Sequence, residues 1–362
     1  MSHRLVVVGY GTMGVTHAEA LGPIEGVEVA GVVDVDQDRL VYAVADGHHV
    51  YGDLDEALAD PTVDVVFVCT PNEAHHPIAL RALAAGKHVI TEKPAMLDSA
   101  QLAEVIAAAD AAGLVLAVHQ NRRWDEDYLA MKQLYDTRAI GRVAHIETRV
   151  HGSRGIPGDW RALRERGGGM LLDWGVHLVD RLLVMVGSPV VNVYGRLSHV
   201  LGTEVDDGFR ADLTFANGVE AVVDVSTTCF VPQPIWLLRS AEGTATVDDW
   251  ELHGRVVHRT TVPEADAAPV RAGAGVTKTM APRTVDYAAH LAEDPAIQVL
   301  PVPRVPTDVT DFYRNVLAAI DGTAELVVRH DEVLRTMRVL EAIARSHETN
   351  EVVHLETEET VA

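Results

Sequence analysis

The stretch LVVVGYGTMG, residues 5–14, decides the fold. Four consecutive apolar residues lead into G-x-G-x-x-G at Gly9, Gly11 and Gly14. An apolar run without polar alternation reads as a strand buried on both faces, which calls for a parallel sheet covered by helices. The bare glycine pattern is common. Its place between such a strand and the helical TMGVTHAEALG makes it specific. Gly9 permits the tight turn, Gly11 lets backbone approach a pyrophosphate, and Gly14 lets helix pack close to strand. The loop residues Tyr10, Thr12 and Met13 are expected against the same ligand. Asp34, ending the run VEVAGVVD, supplies a carboxylate for ribose hydroxyls that also repels a 2′-phosphate. Arg39 is the nearest arginine and is not adjacent to Asp34, so NAD is expected in preference to NADP.

Outward from this motif, strand-like DVVFVCT, HVITEKP and LVLAVHQ alternate with helical DQDRLVYAVADG, HHPIALRALAAG and SAQLAEVIAAADAAG. This is a doubly wound α/β plan over residues 1–122. From residue 123 to 362 the texture changes to an α+β unit. DEDYLAMKQLYDT reads as a helix, and AHIETRVHG, VVNVYGRLSHVLG, FRADLTFANG, VEAVVDVSTTC and WLLRSAEGTATVDDWELHG read as strands of a mostly antiparallel sheet. Asn217-Gly218 marks a hairpin. Residues 262–306, rich in Pro, Ala and Gly, read as a long loop or lid, and two helices follow near DVTDFYRNVLAAIDG and DEVLRTMRVLEAIARSH.

A net charge of −23 over 362 residues argues against a nucleic-acid partner, since phosphate backbones need a positive field. A dinucleotide remains open, because backbone N–H groups at a helix start can hold its phosphates. No apolar run approaches a membrane span, and the early first strand leaves no room for a signal peptide, so a cytoplasmic location is expected. Two cysteines cannot make a disulfide framework; Cys69, within VVFVCTP, reads as core. The doublets His48-His49 and His75-His76 lack metal-ligand spacing, so no metal is expected.

Two further stretches carry chemistry. RGGGMLLDWGVHLVDRLL, residues 166–183, reads as a glycine-rich loop entering a helix whose Asp173, His177 and Asp180 share one face. TEKPAM, residues 91–96, ends a sheet strand, where ligands of such sheets bind, and Pro94 stiffens Lys93. A histidine near its ordinary pKa of ~6.5 suits proton transfer near neutrality.

CTPNEAHHPIALRALAAGKHVITEKPAM, then HQNRRW, then GGGMLLDWGVHLVD resemble the glucose–fructose oxidoreductase / inositol dehydrogenase family, Gfo/Idh/MocA, from Leu5 to about Leu355. The resemblance implies an N-terminal Rossmann domain, a C-terminal α+β domain whose open sheet builds a homodimer or homotetramer, and oxidation or reduction of a sugar or cyclitol carbon. It implies that Lys93, Asp173 and His177 are catalytic and meet substrate, with His177 favoured as base and Asp173 orienting its ring or sharing the hydroxyls. Thr70, Pro71, Asn72, His75, Glu92, Lys93 and Gln120 join the cofactor set. Arg123, Trp124, Arg154 and Trp160 join the substrate set, with Asn121, Arg161 and Arg164 nearby, while Trp174 reads as packing. RVHGSRGIPGDWR with DWGVHLVDRLL looks closest to members acting on the 3-hydroxyl of glucosyl units. An NAD-recycling glycoside hydrolase or lyase is the alternative, and a non-catalytic sugar- or dinucleotide-sensing regulator a more distant one.

Overall fold

The computed structural model describes residues 2–260 and 295–356. The apolar runs form one sheet of five parallel strands: β1 (His3–Val8), β2 (Val27–Val33), β3 (Val65–Val68), β4 (His88–Thr91) and β5 (Leu116–Val118). Their order is β2-β1-β3-β4-β5. Val6, Val7, Val65, Val66 and Phe67 have no exposed surface, because helices cover both faces. These are α1 (Thr12–Leu21), α2 (Gln37–Ala45), α3 (Leu54–Ala59), α4 (His75–Ala84) and α5 (Ser99–Ala112). The short α3, capped by Asp53 through Glu56 N at 2.8 Å, was not anticipated. The strand order reverses between β1 and β3, leaving a crevice above their C-terminal ends.

After α6 (Glu126–Thr137) the chain builds a nine-stranded sheet, from β6 (Val143–His151), β7 (Val190–Ser198), β8 (Gly208–Phe215), β9 (Glu220–Ser226), β10 (Trp236–Ser240), β11 (Gly243–Val247), β12 (Gly254–Arg259), β13 (Ile297–Leu300) and β14 (Val353–His354). The order is β13-β12-β11-β10-β6-β9-β8-β7-β14, antiparallel except for β6–β9. The expectation of a loop over 262–306 is corrected at its far end. Gln298, Val299 and Leu300 pair with β12, since an edge strand exposed along its length is held by its ladder and needs no apolar period. Residues 262–294 of that expectation lie outside the described residues.

Three more helices join the sheets. The segment read as one continuous helix opens instead with a π turn over Leu171–Gly175 and becomes α7 at Val176–Val186. Next, α8 (Asp311–Ile320) packs Phe312 and Tyr313 against the parallel sheet's end, and α9 (His330–Thr349) lies along β7. Its Glu341 accepts from Ser99 N at 2.6 Å, fastening α5 to the second sheet's helix layer. Trp236 is fully buried in the core with its Nε1 donating to Asp127 at 2.7 Å. No helix of the described residues is long and apolar enough to cross a membrane.

Candidate active site

The glycine turn after β1 makes the first wall. Gly9 has φ +95°, and a Cβ there would sit 2.7 Å from the Cys69 carbonyl oxygen. A Cβ on Gly14 would lie 2.0 Å from the Gly9 oxygen, so strand and helix touch only because neither residue has one. Gly11 is the N-cap of α1 and offers no side-chain cap, which leaves first-turn N–H groups for an anion. Asp34, buried beside this turn, accepts from Tyr10 N at 2.6 Å and from Asp36 N at 2.9 Å. The cleft continues through Thr12, Met13, Thr70, Pro71 and Asn72 to Glu92 and Lys93. Thr70 Oγ1 is buried there without a partner. An uncapped helix start, a carboxylate at the ribose position and an orphaned hydroxyl fit a dinucleotide.

Four expectations about this cleft are corrected. Arg39 reaches back from α2 to within 3.5 Å of Asp34 and lines the cleft, so Asp34 does have an arginine beside it. Tyr10 turns its ring away, its hydroxyl donating to Asp46 at 2.9 Å, while its N–H is spent on Asp34. His75 is wholly buried between the carbonyls of Thr70 (3.0 Å) and Pro94 (2.9 Å), where it braces the strand ends and meets no cleft. Gln120 is buried with its Nε2 unpartnered, and its neighbours Asn121 and Arg122 form the wall instead. Cys69 borders the cleft, but burial pushes its thiol well up, which keeps it protonated.

Beyond Lys93 lies an inner cavity walled by Met13, Glu92, Lys93, Asn121, Arg122, Asp173, Trp174 and His177. The sequence-distant trio of Lys93, Asp173 and His177 therefore does meet. Lys93 Nζ donates to Asp173 Oδ1 at 2.8 Å and to its carbonyl at 3.1 Å. Burial alone would raise the Asp173 carboxyl; Lys93 and then Arg161, at 3.5 Å, more than reverse this and hold it low. Asp173 does not orient the His177 ring as expected, because its oxygens face these cations. His177 is 5% exposed and its buried Nδ1 has no partner. Burial, reinforced by Lys93 and Arg122, pushes its pKa well below the ordinary histidine value, so the ring is neutral at pH 7.

The π turn accounts for a further correction. The widened turn brings Trp174 into the cavity wall, 5.9 Å from the His177 ring, where packing had been expected. Arg122 stacks on Trp174 at 4.4 Å and on Trp250 at 5.4 Å, and donates to Asp125 at 2.8 Å. Trp250, from the turn between β11 and β12, carried no signal in the sequence beyond being an exposed tryptophan. For substrate the sequence points to Arg123, the neighbour of Arg122. Arg123 is buried instead, bidentate to Asp180 at 2.6 and 2.8 Å and bonded to Glu332 at 2.6 Å. It lines none of the three cavities, and Asp180 is its buried ion-pair partner. Trp124 packs edge-on to Phe312 outside the cavity. Trp160 faces the dinucleotide cleft with Arg161 stacked on it at 4.5 Å, because Asp159 caps the short turn that carries both. Arg164 is tied to Glu204, while Arg154 lines a second, larger cavity that shares Asp173 and Trp174 with the first.

A dinucleotide cleft opening into a cavity of amine, imidazole and carboxylate defines a dinucleotide-dependent oxidoreductase. Residues 3–120 match the oxidoreductase family Gfo/Idh/MocA, NAD-binding Rossmann fold, and residues 128–247 match the Gfo/Idh/MocA C-terminal domain. An NAD-binding protein from Listeria innocua has the same structure at TM-score 0.86 and 39% identity, over 98% of this chain and 97% of that one. The oxidoreductase YdgJ of Escherichia coli is 32% identical over 59% of this chain and 62% of its own length, less than two thirds of that relative. A myo-inositol 2-dehydrogenase of Thermotoga maritima is 28% identical over 62% of this chain and 68% of its own. The chain belongs to the Gfo/Idh/MocA family of NAD-binding oxidoreductases.

Proposed function

We propose that the inner cavity holds a sugar, glycoside or cyclitol and that a secondary hydroxyl carbon is oxidised or reduced there. The observation that carries this reading is the 2.8 Å Lys93–Asp173 pair lining one cavity with a neutral His177 whose Nδ1 is unpartnered. Gly11, Thr12, Met13, Asp34, Thr70, Pro71 and Asn72 would hold NAD, which supplies the two-electron acceptor when bound. Removing the hydroxyl hydrogen of the substrate demands a proton acceptor, and His177 takes that part. Lys93, fixed by Asp173, places its ammonium where negative charge grows on the substrate oxygen. Trp174 offers a flat face to sugar C–H groups, and Arg154 a donor fork to more distant hydroxyls. On this reading residues 1–122 serve the cofactor, and residues 123–362 serve substrate and the assembly of a homodimer or homotetramer.

The larger second cavity beyond Asp173 and Trp174 favours a substrate with a substituent, such as a glucosyl unit in a glycoside oxidised at C3. The same cavity supports the alternative of a net glycosidase. There, oxidation acidifies the neighbouring C–H, the aglycone leaves, water adds, and the carbon is reduced again. Incubation with NAD and a panel of inositols, free hexoses and aryl glycosides separates these outcomes. NADH formation is the expected result. Aglycone release without net NADH would select the glycosidase, and no turnover of any polyol or glycoside would overturn both.

A further inference from the structure

Glu92 directly follows β4, with 5% exposure, and is wrapped in donors. Its Oε1 accepts from His17 Nε2 at 2.7 Å and from His119 Nδ1 at 2.9 Å, and its Oε2 accepts from Lys93 N at 3.0 Å. His17 is completed by the Tyr313 hydroxyl, 2.7 Å from Nδ1. Proton counting fixes the roles. Burial lowers the pKa of His17, so the ring is neutral; it donates through Nε2 and accepts from Tyr313 through Nδ1. His119 turns its Nδ1 to Glu92, and its Nε2 is buried with no partner among the described residues. Burial would raise the Glu92 carboxyl, yet the two histidines outweigh it and hold it well below the usual range. The three side chains also lie close enough to ligate a metal, but the hydrogen-bonded chain is complete without one.

The charges around it are already matched. Lys93 is paired with Asp173 and Arg122 with Asp125, at 2.8 Å each. Glu92 is the carboxylate of the inner cavity wall that no lysine or arginine among the described residues pairs. With Lys93 and Met13 it borders both the dinucleotide cleft and the inner cavity, the junction where the nicotinamide belongs if the cleft takes NAD as proposed above. The oxidised ring carries a positive charge and the reduced ring carries none.

We propose that Glu92, bonded by His17 and His119 at the junction of cleft and cavity, is the residue that makes this chain prefer the oxidised dinucleotide over the reduced one. A single buried charge beside a cationic ring biases the two affinities by about 10- to 100-fold. The test is calorimetric titration of the full-length protein with NAD+ and with NADH, without substrate. Glu92→Gln, which keeps size and acceptor, is expected to weaken NAD+ binding about tenfold or more and to leave NADH unchanged or tighter. His119→Phe keeps the carboxyl and removes one donor. Its preference for NAD+ is expected to fall more steeply than the wild type's as pH drops from 8 to 5.5. An unchanged affinity ratio in Glu92→Gln, or a profile in His119→Phe no steeper than the wild type's, overturns the inference and leaves the NAD assignment standing. Failure of the wild type to bind either form of the dinucleotide overturns both.

Discussion

Two glycine-rich turns launch helices in this molecule, and they are built for opposite purposes. Gly9-Tyr10-Gly11 enters α1 with no side chain capping the helix start. Gly167-Gly168-Gly169 enters the π turn and α7 with its donors already taken: Leu171 N gives to Asp206 Oδ2 at 2.8 Å and Met170 N to the Asp206 carbonyl at 3.2 Å. The first turn leaves the N–H groups at the start of α1 for an outside anion. The second fills its own from within and so fixes where Asp173 and His177 stand. A glycine-rich loop before a helix is therefore a ligand site only when the protein declines to cap it.

Substituting the two turns should separate binding from turnover. A Cβ on Gly169, where φ is +104°, would lie 2.2 Å from Asp206 Oδ1 and dislodge the cap. Gly169→Ala is expected to lower turnover by about 10²-fold through misplacement of Asp173 and His177, with dinucleotide affinity unchanged. Gly14→Ala, whose Cβ would meet the Gly9 oxygen at 2.0 Å, should do the reverse and weaken dinucleotide binding by about tenfold or more. Equilibrium titration beside steady-state kinetics reads both. Equal loss of binding in the two variants would erase the distinction drawn here.

A smaller effect sharpens the same contrast. Burial, opposed by the bond from Leu171, raises the Asp206 carboxyl from 3.8 to about 6. Between those values the folded protein holds a proton that the unfolded chain has released. The resulting stability is full below pH 3.8 and is lost as pH rises through about 6. Chemical denaturation of the wild type against Asp206→Asn should show a difference that changes by about 1–3 kcal/mol between pH 7 and pH 4, the wild type gaining on the acid side. In the first turn the carboxylate of Asp34 takes only the Tyr10 N–H, before the helix start, and none caps α1. A pH-independent difference would remove Asp206 from this role.

The parallel sheet was legible because its strands are unbroken apolar runs and because GYGTMG sits where strand becomes helix. Lys93, Asp173 and His177 were legible through motifs that resemble those of a family. What escaped depended on phase and on distance. Counting 3.6 residues per turn through LLDWG turned Trp174 toward packing, whereas the π turn carries it into the cavity. Of two adjacent arginines, the sequence points to Arg123 for substrate; nothing local shows that Asp180 and Glu332, 57 and 209 residues away, bury it, or that Trp174 and Trp250 hold Arg122 at the cavity. The His17–Glu92–His119 chain was likewise invisible, since its members belong to three separate elements with no shared spacing.

The central claim is that one cleft binds the dinucleotide and an adjoining cavity, through Lys93 and His177, performs the proton chemistry. The most direct measurement pairs NAD titration with the NADH formation rate for Lys93→Ala and His177→Ala on whichever substrate the panel yields. Unchanged NAD affinity in His177→Ala with a rate lower by about 10²–10⁴-fold in each variant is the predicted result. A His177→Ala enzyme that turns over at the wild-type rate would contradict it.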